Sequence, residues 1–436
     1  MQPETMAWFE KQGVDLANHE TWMWQEVRDT LLCKAVRTAS LEVVEWLLSM
    51  GANPNARSGG HRALHLVALC WHDNAERKKE KAAIARQLIL AGADVAHLVK
   101  VKGKDCWGLT PLELAVNSDA EELVAVLVNA GAKNNKNTAL KDAVNQNSLG
   151  LVRLLMPVVT QQAKMIAFRH AVKRQCLSII NFFMDSGIDI NAADLYGNTV
   201  VHLAATCSNT ASLELLLAHQ AKVNVQNRNG QTPLHLAAKK ANKSFNLLIQ
   251  SGSNPILRDK KGDAAIHYLA DAKLSDAIVR ERAVLLKEKG CINQIDAGGN
   301  TALHRSVRHS VHRGFVFVEA GVKVNYRNVL GMTALFEYLK KKMEDTPYFS
   351  NFLSCMDVEV VQKFKDYGAI FSQREIEVFS LSLRLYNKVV SALLNSMLEI
   401  SEAAPQRVCF SGAVKKEAVP GFMEDRMSVK KTMGLN

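Results

Sequence analysis

The sequence predicts an all-α solenoid of about ten helix-turn-helix repeats, with short hairpin fingers between them and helical caps at both ends. Three observations predict it. The segment Asn229–Pro255, NGQTPLHLAAKKANKSFNLLIQSGSNP, holds a tight turn at Gly230 and a first helix opened by Thr232 and Pro233; a second helix around Phe245–Gln250 and a stop at Gly252 follow. The same grammar runs upstream as YGNTVVHLAATCSNTASLELLLAHQAKVN and downstream as KGDAAIHYLADAK and GGNTALHRSVRHS. A unit this short cannot bury its own apolar face, so its copies must stack.

Each position has a chemical reason. Threonine caps the first helix through its hydroxyl, and proline at the first helical position gives up no bonded N–H. Leu234, Leu236, Ala237 and Ala238 supply packing surface. Leu213, Leu216 and Leu217 carry the helical spacing of a second helix. Gly187, Gly252, Gly290 and Gly321 stand where the chain must leave that helix with positive φ. Residues such as VNVQNRNG then suit an extended finger ending in a turn.

The pattern GQTPLHLAA resembles the ankyrin repeat, whose unit is a β-turn plus two antiparallel helices over about 33 residues. Aligned on the threonine position, the register reads Thr30, Arg62, Thr110, Thr138, Ile166, Thr199, Thr232, Ala264, Thr301 and Thr333. The last five spacings are 33, 33, 32, 37 and 32 residues, and the resemblance covers roughly Asp29–Ser372. It is strong over 196–338 and weak before.

The spacings Arg62 to Thr110 (48), Thr110 to Thr138 (28) and Thr138 to Ile166 (28) depart from the pattern. The long one holds a charged stretch at Asp73–Lys81 and a lysine-studded loop at Lys100–Lys104; each short one lacks about five residues, the size of a finger. Pro157 stands where a glycine turn is usual, so the finger row is expected to break there. The organisation read from this is N-terminal capping helices over 1–28 and divergent repeats over 29–159, with insertions at 71–83 and 95–106. Further repeats follow over 160–372, then C-terminal capping helices over 373–400 and a flexible tail over 401–436.

Composition is that of an ordinary soluble chain, 48% hydrophobic and 22% charged over 436 residues. No run of 18 apolar residues exists, so no membrane span is expected, and the start, MQPETMAWFEKQG, lacks the pattern of a secretory signal. Eight cysteines lie no closer than the 31 residues between Cys176 and Cys207. No zinc or redox spacing results, and reduced buried thiols in a cytoplasmic compartment are expected.

The net charge of +11 is uneven. Lys222–Lys261 holds eight Lys or Arg against the single acid Asp259, and Gly298–Lys342 holds eight against Glu319 and Glu337. Such a field draws acidic partners. Arg228, Arg258, Lys260, Lys261 and Arg327 fall in the fingers; Lys239, Lys240, Arg305 and Arg308 fall on first helices. The resemblance implies that fingers and first helices line a concave binding side, which makes these nine residues the candidate contacts for carboxylates or phosphates. A solvated face that keeps the solenoid soluble is the alternative. In the first insertion, Arg77, Lys78, Lys79 and Lys81 interleave with Glu76 and Glu80, and a solvated helix is expected.

His65, His202, His235, His267 and His304 share one repeat position. Stacked helices lie about 8–10 Å apart, whereas zinc needs nitrogens about 2 Å from one ion, so neighbours cannot share a metal. The resemblance implies instead that this histidine bonds to backbone of the turn region. HETWM at His19–Met23 has methionine where a metalloprotease helix needs its second histidine, and no phosphate loop, nucleophile elbow or dinucleotide motif occurs. No catalytic residue, cofactor or metal is expected, nor a small-molecule substrate, and nucleic acid is not an expected partner.

The expected function is a non-enzymatic protein-interaction scaffold with an acidic protein partner. The irregular repeats and the tail of Ser401–Asn436, with Glu424-Asp425 and Lys430-Lys431, resemble ankyrin effectors that intracellular bacteria deliver into host cells. That resemblance implies a type IV secretion substrate acting in the host cytoplasm or nucleus. Two alternatives stand beside it: a eukaryotic cytosolic adaptor, and an enzyme with a Cys/His site in the insertions or termini.

Overall fold

A computed structural model describes residues 24–55, 57–58, 61–69, 75–98, 109–132, 138–345, 358–372 and 375. The chain separates into two compact units, Met1–Pro347 and Tyr348–Asn436.

The first unit is a run of helix pairs. In chain order they are α1 (Trp24–Thr38) and α2 (Leu41–Ser49); α3 (Ala63–Leu69) and α4 (Ala75–Leu90); α5 (Pro111–Asn117) and α6 (Glu121–Asn129); and α7 (Ala139–Asn145) and α8 (Leu149–Leu155). Next come α9 (Gln161–Arg174) and α10 (Leu177–Asp185); α11 (Val200–Thr206) and α12 (Ala211–Ala218); α13 (Pro233–Ala237) and α14 (Ser244–Gln250). The run closes with α15 (Ala265–Ala270) and α16 (Asp276–Glu288), α17 (Ala302–His309) and α18 (Val311–Glu319), and α19 (Ala334–Asp345). Odd-numbered first helices pack on odd-numbered neighbours, and even-numbered second helices on even-numbered ones, which is the stacking that the repeat length demands.

The core lies between the two rows. Second helices bury residues at i, i+1 and i+4, as Val43, Val44 and Leu47, Leu123, Val124 and Leu127, or Ile179, Ile180 and Phe183, all at 1% exposure or less. First helices are buried nearly all round, which explains their alanines: Ala204, Ala205, Ala237 and Ala238 have no exposed surface. The glycines expected to end second helices do so, with φ of 76° at Gly187, 84° at Gly252, 68° at Gly290 and 102° at Gly321.

Three expectations need correction, at Thr30, Ile166 and Lys81, whereas the break in the finger row expected at Pro157 is present. Thr30 does not open a helix, because α1 already runs from Trp24 through it. Ile166 lies inside α9, half exposed, and Thr160 opens that helix instead, its hydroxyl accepting from Ala163 N–H at 3.2 Å. Pro157 sits in a 3-10 turn over Met156–Val158 that passes directly into the Thr160 cap, so no finger separates α8 from α9. The charged stretch of the first insertion is helical, in α4, but Lys81 is fully buried there. It shares a face with Ile84, Ala85 and Leu88 at helical spacing.

Among the described residues one finger pairs as strands: β1 (Arg57–Ser58) runs antiparallel to β2 (His61–Arg62), with Ser58 opposite His61. Later fingers are hydrogen-bonded turns. In the second unit, α20 (Val358–Asp366) buries Val360, Val361 and Phe364, and Ser372 and Glu375 bond reciprocally as a helix-opening pair. Of the expected capping segments 1–28 and 373–400, residues 1–23 and all but residue 375 respectively lie outside the described residues, as do the loop at 99–108 and the tail.

Candidate interaction surface

The fingers are built by one residue that recurs five before the threonine position. Asp194, Asn227, Asp259, Asp296 and Asn328 each accept two backbone N–H bonds on Oδ1, from the residues two and four further on, at 2.8–3.0 Å. This closes each turn on its own side chain. Three of the four junctions between these fingers are then stitched through backbone. Arg228 N–H donates to the Tyr196 carbonyl, Lys260 N–H to Asn229 and Val329 N–H to Gly298, at 2.9, 2.9 and 3.0 Å. Asparagines hold the bases of the fingers: Asn191, Asn224 and Asn293 accept from the N–H of Lys222, Asn254 and Lys323, at 2.9, 2.7 and 2.8 Å. Gly230 is required at its tip, since φ is +76° and a Cβ there would lie 2.7 Å from the Lys260 nitrogen.

The shared histidines join each first helix to the next finger. His202, His235 and His304 accept on Nδ1 from the N–H of Thr199, Thr232 and Thr301, at 3.1, 3.0 and 3.2 Å. Their Nε2 atoms face the carbonyls of Gln231, Asp263 and Met332 at 3.0, 3.0 and 3.1 Å. A carbonyl only accepts, so Nε2 carries the proton and each ring is neutral. His267 does the same with Ala264 N–H, without a threonine hydroxyl. Burial pushes all four below the ordinary histidine range. With both nitrogens bonded, this ladder has no lone pair for a metal, and among the described residues no cluster of three or more His, Cys, Asp or Glu suits one.

His65 is the extreme case. It is fully buried, its Nε2 donates to the His97 carbonyl at 3.1 Å, and burial lowers its pKa to about 4. The unfolded value is about 6.5. Above that pH the ring is neutral in both states, and stability does not depend on it. Between about 6.5 and about 4 only the unfolded chain takes the proton, so stability falls as pH falls, by roughly 3 kcal/mol in all. Urea unfolding at pH 7.5 and 4.5 is expected to show this loss, and His65→Gln, which keeps a donor for His97, is expected to reduce it. An equal loss in both proteins contradicts the assignment.

Inner-row polar groups form a second layer. Gln231 donates to the Tyr268 hydroxyl, which donates to Asp259 Oδ2, both at 2.6 Å. Burial alone would raise the Asp259 carboxyl, but the Tyr268 hydroxyl and the turn N–H groups hold it below the usual range. Burial and the Asp259 bond push Tyr268 up to about 12. Lys239 stands over the Tyr268 ring, 4.4 Å from its centre.

The nine expected contact residues divide accordingly. Arg305 is enclosed by carboxylates: its guanidinium reaches Asp263 at 2.5 Å, Asp296 at 2.9 Å and Asp271 at 3.0 Å. It is a strut between repeats, and its charge is already matched. Arg308 forms a two-bond pair with Glu337, both at 2.9 Å, while staying 46% exposed. Arg258 and Arg327 are exposed and turn back to carbonyls of their own fingers, Gly262 at 3.5 Å and Gly331 at 2.8 Å. Arg228, Lys240, Lys260 and Lys261 are exposed and make no ion pair among the described residues. Stacking thus brings Arg228, Lys260 and Lys261 onto adjoining tips but withdraws Arg305 from the surface.

Reasoning from sequence missed the tips at either end of this run. Leu195 and Tyr196 are 79% and 73% exposed, and Val329 and Leu330 are 75% and 71% exposed. The available signal was an apolar pair directly after the recurrent Asp or Asn, where the other fingers carry Arg228-Asn229, Lys260-Lys261 and Ala297-Gly298.

These features define a stacked two-helix repeat protein that presents a row of turns. Residues 168–259 match the family model described as ankyrin repeats (3 copies), and residues 28–59 match that of a single ankyrin repeat. The chain therefore carries ankyrin repeats, arranged as an all-α solenoid. It is similar to human Rabankyrin-5, 28% identical over 279 residues, which is 60% of this chain and 22% of that protein. It is also similar to the phosphocholine transferase AnkX of Legionella pneumophila, 28% identical over 112 residues, 25% of this chain and 12% of that protein. The chain thus spans less than a quarter of either relative. Among solved structures, a chain from the complex of a Bdellovibrio bacteriovorus predatory endopeptidase with its immunity protein matches 44% of this chain and 97% of its own length, at 25% identity and a TM-score of 0.35. Ankyrin repeats imply a role in protein–protein interaction. No helix among the described residues is long and apolar enough to cross a membrane.

Proposed function

We propose that this chain is a non-enzymatic recognition scaffold whose finger row binds an acidic protein surface. One observation carries the reading: Arg228, Lys260 and Lys261 stand exposed on consecutive, backbone-stitched turns, and their side chains form no ion pair among the described residues. Lys240 and Arg258 extend the same field, while Arg305 and Arg308 are matched by carboxylates and add no net positive charge to it. Turns fixed by their own side chains lose little conformational entropy on docking, which favours affinity. Burial pushes the thiols of Cys176, Cys207 and Cys291 up, opposite to the shift a nucleophilic cysteine needs, and this supports the non-enzymatic reading.

Affinity capture from host-cell cytosol after nuclease treatment tests it, comparing the intact chain with Arg228→Glu/Lys260→Glu/Lys261→Glu. An acidic protein is expected to be retained by the intact chain, to be released as salt rises, and to be lost with the triple variant. Capture that survives charge reversal, or that nuclease abolishes, contradicts the reading.

The cellular setting that fits best is delivery by an intracellular bacterium into host cytoplasm or nucleus. It is supported by the effector-like sequence pattern and by the similarity to a Legionella protein. Removal of residues 401–436 is then expected to stop translocation; delivery unimpaired by the deletion argues against it.

A further inference from the structure

The finger row carries a second kind of information besides charge. Five successive turns have the same construction, and the two residues after the anchoring Asp or Asn project at the tip of each. Read along the stack, the tips are Leu195-Tyr196, Arg228-Asn229, Lys260-Lys261, Ala297-Gly298 and Val329-Leu330. The four large apolar side chains are all more than 70% exposed, at the first and last tips of the run. Nothing about the turn requires them. The anchoring bonds come from Asp194 and Asn328 and from backbone, so polar residues at these positions close the other turns equally well. Paired apolar residues held in water on both flanks of a basic centre mark an interaction surface.

Resting on the acidic-partner reading above, we propose that the finger tips are a measured docking track for one extended acidic segment with an apolar anchor at each end. Stacked elements lie about 8–10 Å apart, so four steps separate the end tips by roughly 32–40 Å. An extended chain rises about 3.3 Å per residue and covers that span with about eleven residues. Its anchors sit on Leu195 and Tyr196 at one end and on Val329 and Leu330 at the other. Its carboxylates lie between them, against Arg228, Lys260 and Lys261, and Ala297-Gly298 leaves room for the chain to pass. A segment of this composition, acidic with few apolar residues, stays unfolded when free and is available in extended form. The charges steer and the anchors select, since apolar anchors in a charged rim carry most of the discrimination at such surfaces.

Fluorescein-labelled synthetic peptides test the spacing with the full chain. The parent peptide has a Leu-Phe pair at each end of a spacer of about eleven residues with Asp and Glu at its centre. Controls replace both pairs by serine, replace the acids by glutamine, or shorten the spacer to about five residues. The parent is expected to bind about tenfold more tightly than each control. Leu195→Ser/Tyr196→Ser and Val329→Ser/Leu330→Ser are each expected to weaken the parent about tenfold and to leave the serine-ended peptide unchanged. Unchanged thermal melting confirms that these exposed substitutions leave the fold intact. Equal binding of the short-spacer peptide, or indifference of the parent to both tip variants, overturns the docking track. If the serine-ended acidic peptide binds as well as the parent and Lys260→Glu/Lys261→Glu abolishes both, the track falls while the acidic-partner reading stands. If no peptide binds, both fall.

Discussion

Arg305→Ala is expected to destabilise the repeat unit by about 3–5 kcal/mol, read as the shift in urea unfolding. The guanidinium sits on α17 and reaches back to the preceding repeat and finger. Nε and Nη2 donate to Asp296 Oδ2 at 3.0 and 2.9 Å, and Nη1 and Nη2 donate to the two oxygens of Asp263 at 3.0 and 2.5 Å. Nη1 also donates to Asp271 at 3.0 Å. Burial works against the charge, but the carboxylates outweigh it and raise the arginine further above its ordinary value. The side chains of Asp263 and Asp296 are only 8% and 6% exposed, so alanine leaves two carboxylates facing each other in a poorly hydrated site. Arg305→Lys is expected to recover part of the loss, because a point charge cannot serve several oxygens in fixed planes. Arg305→Met combined with Asp263→Asn and Asp296→Asn is expected to be closer to the parent than Arg305→Ala alone. A cost below about 1 kcal/mol, the level of a surface pair, contradicts the strut.

Arg282→Ala is the second large effect, expected at about 3 kcal/mol. Arg282 projects from α16, is 2% exposed, and no carboxylate is bonded to it. Its guanidinium donates instead to four carbonyls where α13 ends: Ala237 at 3.3 Å, Ala238 at 3.2 Å, Lys240 at 2.7 Å and Asn242 at 2.6 Å. It also lies over the Phe245 ring, 5.0 Å from its centre. A five-residue helix such as α13 has more unpaired terminal carbonyls than internal bonds, so a donor from the next repeat replaces what the helix cannot supply. Arg313 of α18 treats the end of α15 alike, donating to Ala272 and Leu274. Arg282→Lys is expected to recover less than half, having one donor centre for carbonyls spread over six residues. Recovery to the parent level with lysine contradicts the capping role.

The two arginines show which parts of the molecule the sequence made legible. Caps and packing are local: Thr199, Thr232 and Thr301 open helices as read, and the second-helix apolar faces are buried as read. The fate of a charge is not local. Arg305 meets Asp263, 42 residues away, only because the repeats stack. Register was misplaced where the finger was missing, since counting from Thr138 lands on Ile166 although Thr160 caps the helix. Lys81 looked like one of a solvated charge run, but its spacing to Ile84 and Leu88 carried the opposite message. The anchoring Asp or Asn five residues before the threonine position was in plain view in five repeats, and with it the tips that follow.

Amide hydrogen exchange at Arg228, Lys260 and Val329 tests the central claim, that the repeats stack into one continuous row of registered fingers, most directly. These residues stand at exposed turn tips, and the bonds that bury their N–H groups come only from the preceding finger. Slow exchange at all three, alongside fast exchange at Leu195 in the first tip of the run, is the predicted result. Exchange at unstructured rates at Arg228, Lys260 and Val329 contradicts it.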